Sequence, residues 1–361
     1  MLPIAMILGA ILYNPITVLN EKLPHLTQAL IFAMLLVPYC RISLRELRIE
    51  RLHIWLITIQ IIGSLAVYGV LLLFDPLIAE GTLICILAPT ATAAAVITFM
   101  LGGSLTTLAT YSLLSNMTVA LLSPIIFSFI GIHTDIPFTE SFFTICRQMI
   151  PLLIFPFITA IALRYLLPRV HYMLSKSQSL SFYLWAVSLT IVMGRTAAFI
   201  IDQGAENIKE ELLIALFSLI VCSAQFAIGK IIGQRYNERI AGGQALGQKN
   251  TVLAIWMALT YVHPIASIGP ASYQLSAAKP AVVEEKQAGQ EICFCEIMKY
   301  RFSTILHHFT EKSVTNNPID KYFLFLYIYI MNRLYITPLY HKEIICILMN
   351  RIFIFRNPIW S

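Results

Sequence analysis

From residue 3 to residue 262 the chain alternates between long apolar runs and short polar segments. The runs fall at roughly 3–19, 25–40, 53–74, 81–101, 106–131, 142–167, 178–201, 211–234 and 244–262, and a tenth begins at Pro264 with "PIASIGPASY". A helix needs about 20 mostly apolar residues to cross the hydrocarbon of a bilayer. The pattern predicts an all-α polytopic membrane protein with about ten transmembrane helices. Two runs are interrupted. The fourth, "LICILAPTATAAAVITFMLGG", carries Pro89 and a series of Thr and Ala; the ninth opens with "AGGQALGQKN" before turning apolar.

Composition agrees with the pattern. Of 361 residues, 58% are hydrophobic and 12% charged, with a mean hydropathy of +0.76; soluble domains carry about 25% charged residues. The net charge of +6 does not point to nucleic acid, because no basic face is interleaved with aromatics. Its distribution instead predicts orientation. Arg41, Arg45, Arg48 and Arg51 lie between runs 2 and 3, Arg164, Arg169 and Lys176 between 6 and 7, and Lys230, Arg235 and Arg239 between 8 and 9. Positive residues stay cytoplasmic, so the N-terminus is expected inside. The first run has no basic segment before it and no clear cleavage site, so it is read as a retained span. Cys40, Cys85, Cys146 and Cys222 lie in or beside apolar runs, where a thiol behaves as a small hydrophobe. Cys293-x-Cys295 lacks a second pair, so neither a metal site nor a cofactor is expected.

Ten spans divide into five plus five. An odd number in each half makes the halves inverted repeats, a build found in secondary transporters. The interrupted fourth and ninth spans occupy corresponding places. Unwound backbone at membrane depth is tolerated only where it is buried in protein or lines a cavity, so both breaks are expected near a midplane site.

These segments carry a resemblance. "APTATAAAVITFMLGG" in span 4, and "ALGQKNTVLA" followed by "HPIASIGPASY" around spans 9 and 10, resemble the bile acid:sodium symporter family over about Leu2 to Tyr273. The resemblance implies a panel of helices beside a core with two crossed, broken helices, and transport of small organic anions by alternating access. Sodium-coupled members bind two Na⁺ near the crossing. Matched by position, the family's glutamate falls on Ala245, its glycine on Gly247, its glutamine on Lys249 and its asparagine on Asn250. Its Ser-Asn pair falls on Ala94 and Ala95, while Thr98 and Gly103 are kept. The departures gather on the sodium ligands.

Lys249 is therefore the residue to explain. Sodium needs oxygen ligands, and an ammonium 4 Å from it would repel it by about 4 kcal/mol at an effective dielectric of 20. The expectation is that the Lys249 ammonium stands in for a bound sodium, leaving a carrier that is uncoupled from Na⁺ or coupled to a proton. The competing reading lets Lys249 snorkel on its long stem to the cytoplasmic interface. Gln244, Gln248 and Asn250 share its stretch, Thr90 and Thr92 flank the break in span 4, and Thr98 is a candidate through the resemblance. Gln60 and Gln225 are candidates for a polar cavity or for interhelical hydrogen bonds. Asn116 lies one turn after Ser112 on span 5. Arg195 and Arg147 are read as reaching the outer interface, with Arg195 also a candidate anion contact, and His263-Pro264 as a turn.

After Tyr273 the character changes. "QLSAAKPAVVEEKQAGQEICFCEIMKYRF" is too polar to finish a helix in lipid, so helix 10 is expected to be truncated and residues 274–361 to be a non-family tail from an altered reading frame. Two domains follow, 1–273 and 274–361. The expected partners are a small organic anion, a proton or Na⁺, and the lipid bilayer. The alternatives are a sodium-coupled symporter and a non-transporting membrane protein inactivated by loss of helix 10. No HExxH, GxSxG, aspartate pair or histidine cluster lies within the spans, so an enzyme ranks last.

Overall fold

A computed structural model describes residues 2–42, 47–91, 94–130, 137–203, 207–275 and 277. Most of the segment read as a tail, and Thr92, lie outside the described residues. What is described is helical, apart from one isolated backbone bridge.

The helices follow the apolar runs. The first run is α1 (Leu2–Ile11) and α2 (Tyr13–Lys22), bent by 77° at the join. Next come α3 (Leu26–Tyr39), α4 (Arg51–Leu72), α5 (Pro76–Leu87), α6 (Ala94–Met100), α7 (Leu105–Ile130) and α8 (Phe138–Leu166). The short α9 (Pro168–Lys176) has no buried residue, and Arg41 Nε donates to Ser175 O at 3.0 Å, tying it to the end of α3. Then follow α10 (Gln178–Gln203), α11 (Ile208–Gln234), α12 (Arg239–Gly247), α13 (Thr251–Tyr261) and a 3₁₀ turn at Pro264–Ser267. Residues 268–275 continue as helix, across the expected domain boundary at 273. Gln274 accepts a hydrogen bond from Thr251 Oγ1, and Ala277 is buried.

Among the described residues, α4, α7, α8, α10 and α11 are each long and apolar enough to cross a bilayer, and the bent α1–α2 pair makes a sixth. Helices α3, α5 and α13 are apolar but shorter. The long helices carry large apolar side chains outward: Trp55 and Ile62 on α4, Phe129 on α7, Phe143 on α8, Tyr183 on α10 and Ile231 on α11 are all more than half exposed. Such a surface in water would be an aggregation liability; in lipid it is the solvated face. The chain is a multi-pass helical membrane protein.

The core is apolar and runs between α3, α8, α10 and α13, with Ile31, Leu35, Leu153, Leu189 and Ile255 fully buried. Tyr261, at the end of α13, stacks on Phe127 and donates to Gln148 Oε1 at 3.0 Å. Helices α11 and α12 form a tight hairpin. A Cβ on Gly229 would lie 2.2 Å from the carbonyl oxygen of Gly242, and one on Gly242 would lie 2.4 Å from that of Gly229. Only glycine permits backbones to meet so closely.

Candidate functional site

The two interrupted runs break where their residues dictate. Helix α5 starts on Asp75, whose carboxylate accepts from Ile78 N at 3.0 Å, with Pro76 in the first turn. It stops at Ala88, which is extended (ψ 138°), as a residue before proline prefers. Helix α12 stops at Gln248 in extended conformation. Helix α13 restarts on Asn250, whose Oδ1 caps Leu253 N at 3.3 Å.

The two breaks pair with each other. Thr90 and Lys249 form an antiparallel backbone bridge. On either side of it, Ala91 N donates to Gln248 O at 2.9 Å and Asn250 N donates to Pro89 O at 2.8 Å. The side chains continue the exchange. Thr90 Oγ1 donates at 2.7 Å to the carbonyl of Ala245, four residues before Lys249. Lys249 Nζ donates at 2.9 Å to the carbonyl of Ile86, four residues before Thr90. Each broken helix thus caps the last turn of the other.

This pairing meets a strict requirement. The last carbonyls of a helix have no partner within it, and these are buried in the protein, away from bulk water that could supply one. Five successive carbonyls at the end of α5 are satisfied from elsewhere. Cys85 O accepts from Gln225 Nε2 at 3.4 Å, Ile86 O from Lys249, and Leu87 O and Ala88 O from Gln60 Nε2 at 2.8 and 3.0 Å. Pro89 O takes the Asn250 amide. Gln60 is itself held, its Oε1 accepting from Tyr111 Oη at 2.8 Å and Ser115 Oγ at 2.9 Å. At the end of α12, Gln248 N closes on Gln244 O, Thr90 serves Ala245 O, and Tyr273 Oη donates to Gly247 O at 2.8 Å.

Lys249 is 3% exposed, so its ammonium does not snorkel to an interface. No carboxylate among the described residues pairs with it. Its favourable partner is the carboxyl end of α5, where the helix dipole is negative; such an arrangement contributes about 0.3–2 kcal/mol, most when partly buried.

The remaining sequence candidates separate. Gln244, Gln248 and Asn250 lie at the α12–α13 break, Gln244 and Asn250 buried and Gln248 half-buried. Gln60 and Gln225 cap α5. Thr98 is buried on α6 beside Gly103, where a Cβ would come within 2.7 Å of its methyl. Asn116 Nδ2 donates to Ser112 O at 2.7 Å, one turn back on its own helix, so the shared polar face is built from a backbone carbonyl. Asn250 Nδ2, Asn116 Oδ1, Gln225 Oε1 and Thr98 Oγ1 are buried without a hydrogen-bond partner among the described residues. Arg147 is exposed and Arg195 half-buried. His263 sits at the turn after α13, with its amide 3.4 Å from Glu80 Oε2. Two residues of the site had no role in the sequence reading. Tyr111 and Tyr273 look like core aromatics by composition, and only their hydroxyl contacts reveal them.

A separate cavity of about 470 Å³ opens at the other end of α6 and α12, lined by Gly102, Gly103, Ser104, Asn237, Glu238, Arg239 and Ile240. Glu238 Oε1 there accepts from Thr107 Oγ1 at 3.1 Å. Among the described residues, no cluster of three or more His, Cys, Asp or Glu could hold a metal ion. No family model and no curated protein matches the chain.

Proposed function

We propose that the protein is a secondary transporter of small organic anions that works by alternating access and is not sodium-coupled. The observation that carries this reading is the reciprocal pairing of two broken apolar helices through Thr90 and Lys249. A soluble fold gains nothing from unwinding two apolar helices at one level. A carrier gains a polar site at mid-membrane.

The ten-span inverted repeat belongs to the same proposal. Thr90 and Lys249 are 159 positions apart, and the same offset carries α4 onto α11, α5 onto α12, α6 onto α13, and the start of α7 onto Pro264. The helix from residue 268 then opens the tenth span. Unpaired donors and acceptors on Asn250, Asn116 and Thr98 give a polar solute groups to meet. The resemblance to the bile acid:sodium symporter family adds the substrate class. The arginine- and lysine-rich junctions favour a cytoplasmic N-terminus, and the bacterial inner membrane is the expected compartment. Lys249 occupies the region where a sodium ion would need oxygens, and Ala245, Ala94 and Ala95 offer none from their side chains.

The test is thermal unfolding of the purified chain in NaCl against choline chloride at equal ionic strength, followed by uptake of radiolabelled carboxylates and sulfonates into proteoliposomes. A ligand at a hundredfold excess over its dissociation constant stabilises the folded state by about 2.7 kcal/mol. The expected result is no difference between the salts, with anion uptake that persists without Na⁺ and falls in Lys249→Gln. Sodium-specific stabilisation, or uptake indifferent to Lys249→Gln, overturns the role given to Lys249. Absence of uptake for every anion overturns the transporter reading.

A further inference from the structure

Helix α9 has no buried residue, yet it cannot leave the membrane surface. One residue, Leu167, joins it to α8, and one, Ser177, joins it to α10. Both neighbours are long and apolar enough to cross a bilayer, so α9 lies at the level where one span ends and the next begins. The sequence dictates the break: Leu167, before Pro168, leaves the helical conformation (φ −133°, ψ 68°), as a residue before proline prefers. The nine residues of α9 then divide into two faces at helical spacing. Val170, His171, Leu174 and Ser175 are half-buried, with Leu174 packed against the apolar core. Arg169, Tyr172, Met173 and Lys176 are exposed. Tyr172 and Met173, 64% and 61% exposed, follow closely on Tyr165, Leu166 and Leu167 at the end of α8, each more than half exposed. The charge on this segment has one sign. Arg164, Arg169 and Lys176 are exposed, and no acidic residue occurs between Glu140 and Asp202, which stand at the far ends of α8 and α10. Arg41 adds a cation from the end of α3: its Nε bond to Ser175 O at 3.0 Å holds the guanidinium beside the last turn of α9. Lys176 Nζ stands 5.6 Å from the centre of the Tyr172 ring.

We propose that the exposed face of α9 binds anionic phospholipid, with lipid phosphates taken by Arg41, Arg169 and Lys176, and with Tyr172 and Met173 set at the boundary between headgroups and acyl chains. Two observations select lipid over a protein partner. The face continues along the chain from the outward-facing end of α8, and a one-residue tether on each side holds it at the bilayer surface. An amphipathic helix with cations beside its apolar side chains lies in that plane. Lysine and arginine rest their aliphatic stems on the apolar boundary while their charges reach the headgroups, and tyrosine favours the same level. Anionic headgroups supply the opposite charge that the segment itself lacks. A second copy docked through this face would set like charges against one another. Which leaflet is used follows from the cytoplasmic N-terminus proposed above; the lipid preference rests neither on that orientation nor on transport.

The test uses the full chain in nanodiscs, with Cys146, Cys293, Cys295 and Cys346 replaced by serine, the buried Cys40, Cys85 and Cys222 kept, and an environment-sensitive fluorophore on Met173→Cys. Phosphatidylglycerol or phosphatidylcholine with brominated acyl chains is titrated into a phosphatidylcholine bilayer, and quenching reads contact between the lipid and α9. The expected result is quenching by both lipids, with phosphatidylglycerol acting at the lower mole fraction. Arg169→Gln and Lys176→Gln should each weaken the phosphatidylglycerol response roughly fivefold, the share of one surface cation, and leave the phosphatidylcholine response unchanged. No quenching by either lipid, because a second copy or another segment covers the face, overturns the docking. Identical responses to the two lipids, or a phosphatidylglycerol response unmoved in both variants, overturns the anionic preference. Should the labelled chain fail to reconstitute, native mass spectrometry of the chain with its own cysteines decides. Phosphatidylglycerol adducts that outlast phosphatidylcholine adducts and are lost when Arg169→Gln and Lys176→Gln are combined support the site; adducts unchanged by that pair overturn it.

Discussion

At the end of α5 the group reaching back four positions across the break is the ammonium of Lys249; at the end of α12 it is the hydroxyl of Thr90. The backbone exchange around the two is reciprocal, but the finish differs. The α5 end is held by long polar side chains from two other helices, Gln60 and Gln225, and from the α12–α13 break, Lys249. The α12 end is held by two hydroxyls, Thr90 and Tyr273, while nearer its start α12 meets the backbone of α11 through Gly229 and Gly242. One physical demand, that buried carbonyls find partners, is met in one half by the reach of long side chains and in the other by two hydroxyls and a backbone amide. Charge enters only where reach is used.

The comparison can be broken most sharply at Gln60. Gln60→Leu keeps the volume but leaves Leu87 O, Ala88 O, Tyr111 Oη and Ser115 Oγ without their partner. The expected loss is about 2–4 kcal/mol, between the small values measured for hydrogen bonds in membranes and the cost of stranded buried groups. Chemical denaturation in mixed micelles measures it. A loss below 0.5 kcal/mol, taken as roughly one ordinary membrane hydrogen bond, would mean that the α5 end is not held by reach.

Gly229→Ala tests the other half. Its methyl would meet backbone, which cannot swing away as a side chain can, and the expected cost is about 2 kcal/mol. Thermal unfolding should show it, while Gly69→Ala, with nothing within 4 Å of its Cβ, should not destabilise. Equal effects at both sites would remove the case for close packing at α12.

Smaller effects sharpen the picture. Thr90→Val and Tyr273→Phe each leave one carbonyl at the α12 end unserved and should cost about 1 kcal/mol each. The two carbonyls lie two residues apart in the last turn, so a double-mutant cycle can measure the coupling between their caps. Near-additivity would indicate separate caps; strong coupling would indicate one cooperative end. Gln225→Leu should cost least, under about 0.5 kcal/mol, because its 3.4 Å contact to Cys85 O is at the long limit of hydrogen-bond geometry.

Much of the local structure could be read without coordinates. The run at 106–131 is α7 at 105–130, and the run at 211–234 is α11 at 208–234. Pro89 and the Gly-Gln-Lys-Asn stretch mark the two breaks because proline and a run of polar residues disrupt an apolar helix wherever it lies. The site was less legible. Gln60 and Gln225 could equally have lined a cavity, since a glutamine in an apolar run announces a polar partner without naming it. Lys249 could have snorkelled, since a lysine ten residues after Arg239 has the reach to do so.

The sequence alone determined that the chain builds apolar helices, where two of them stop, and that a lysine stands at one stop. Those features depend on neighbours within a few residues, through backbone propensity and apolar periodicity. Only the tertiary structure decided which groups complete the broken ends. The partners of the α5 carbonyls come from residues 60, 225, 249 and 250, up to 163 positions away in the chain for Lys249 and Ile86. Pairings at that distance are set by how helices pack, and packing is a property of all the faces at once.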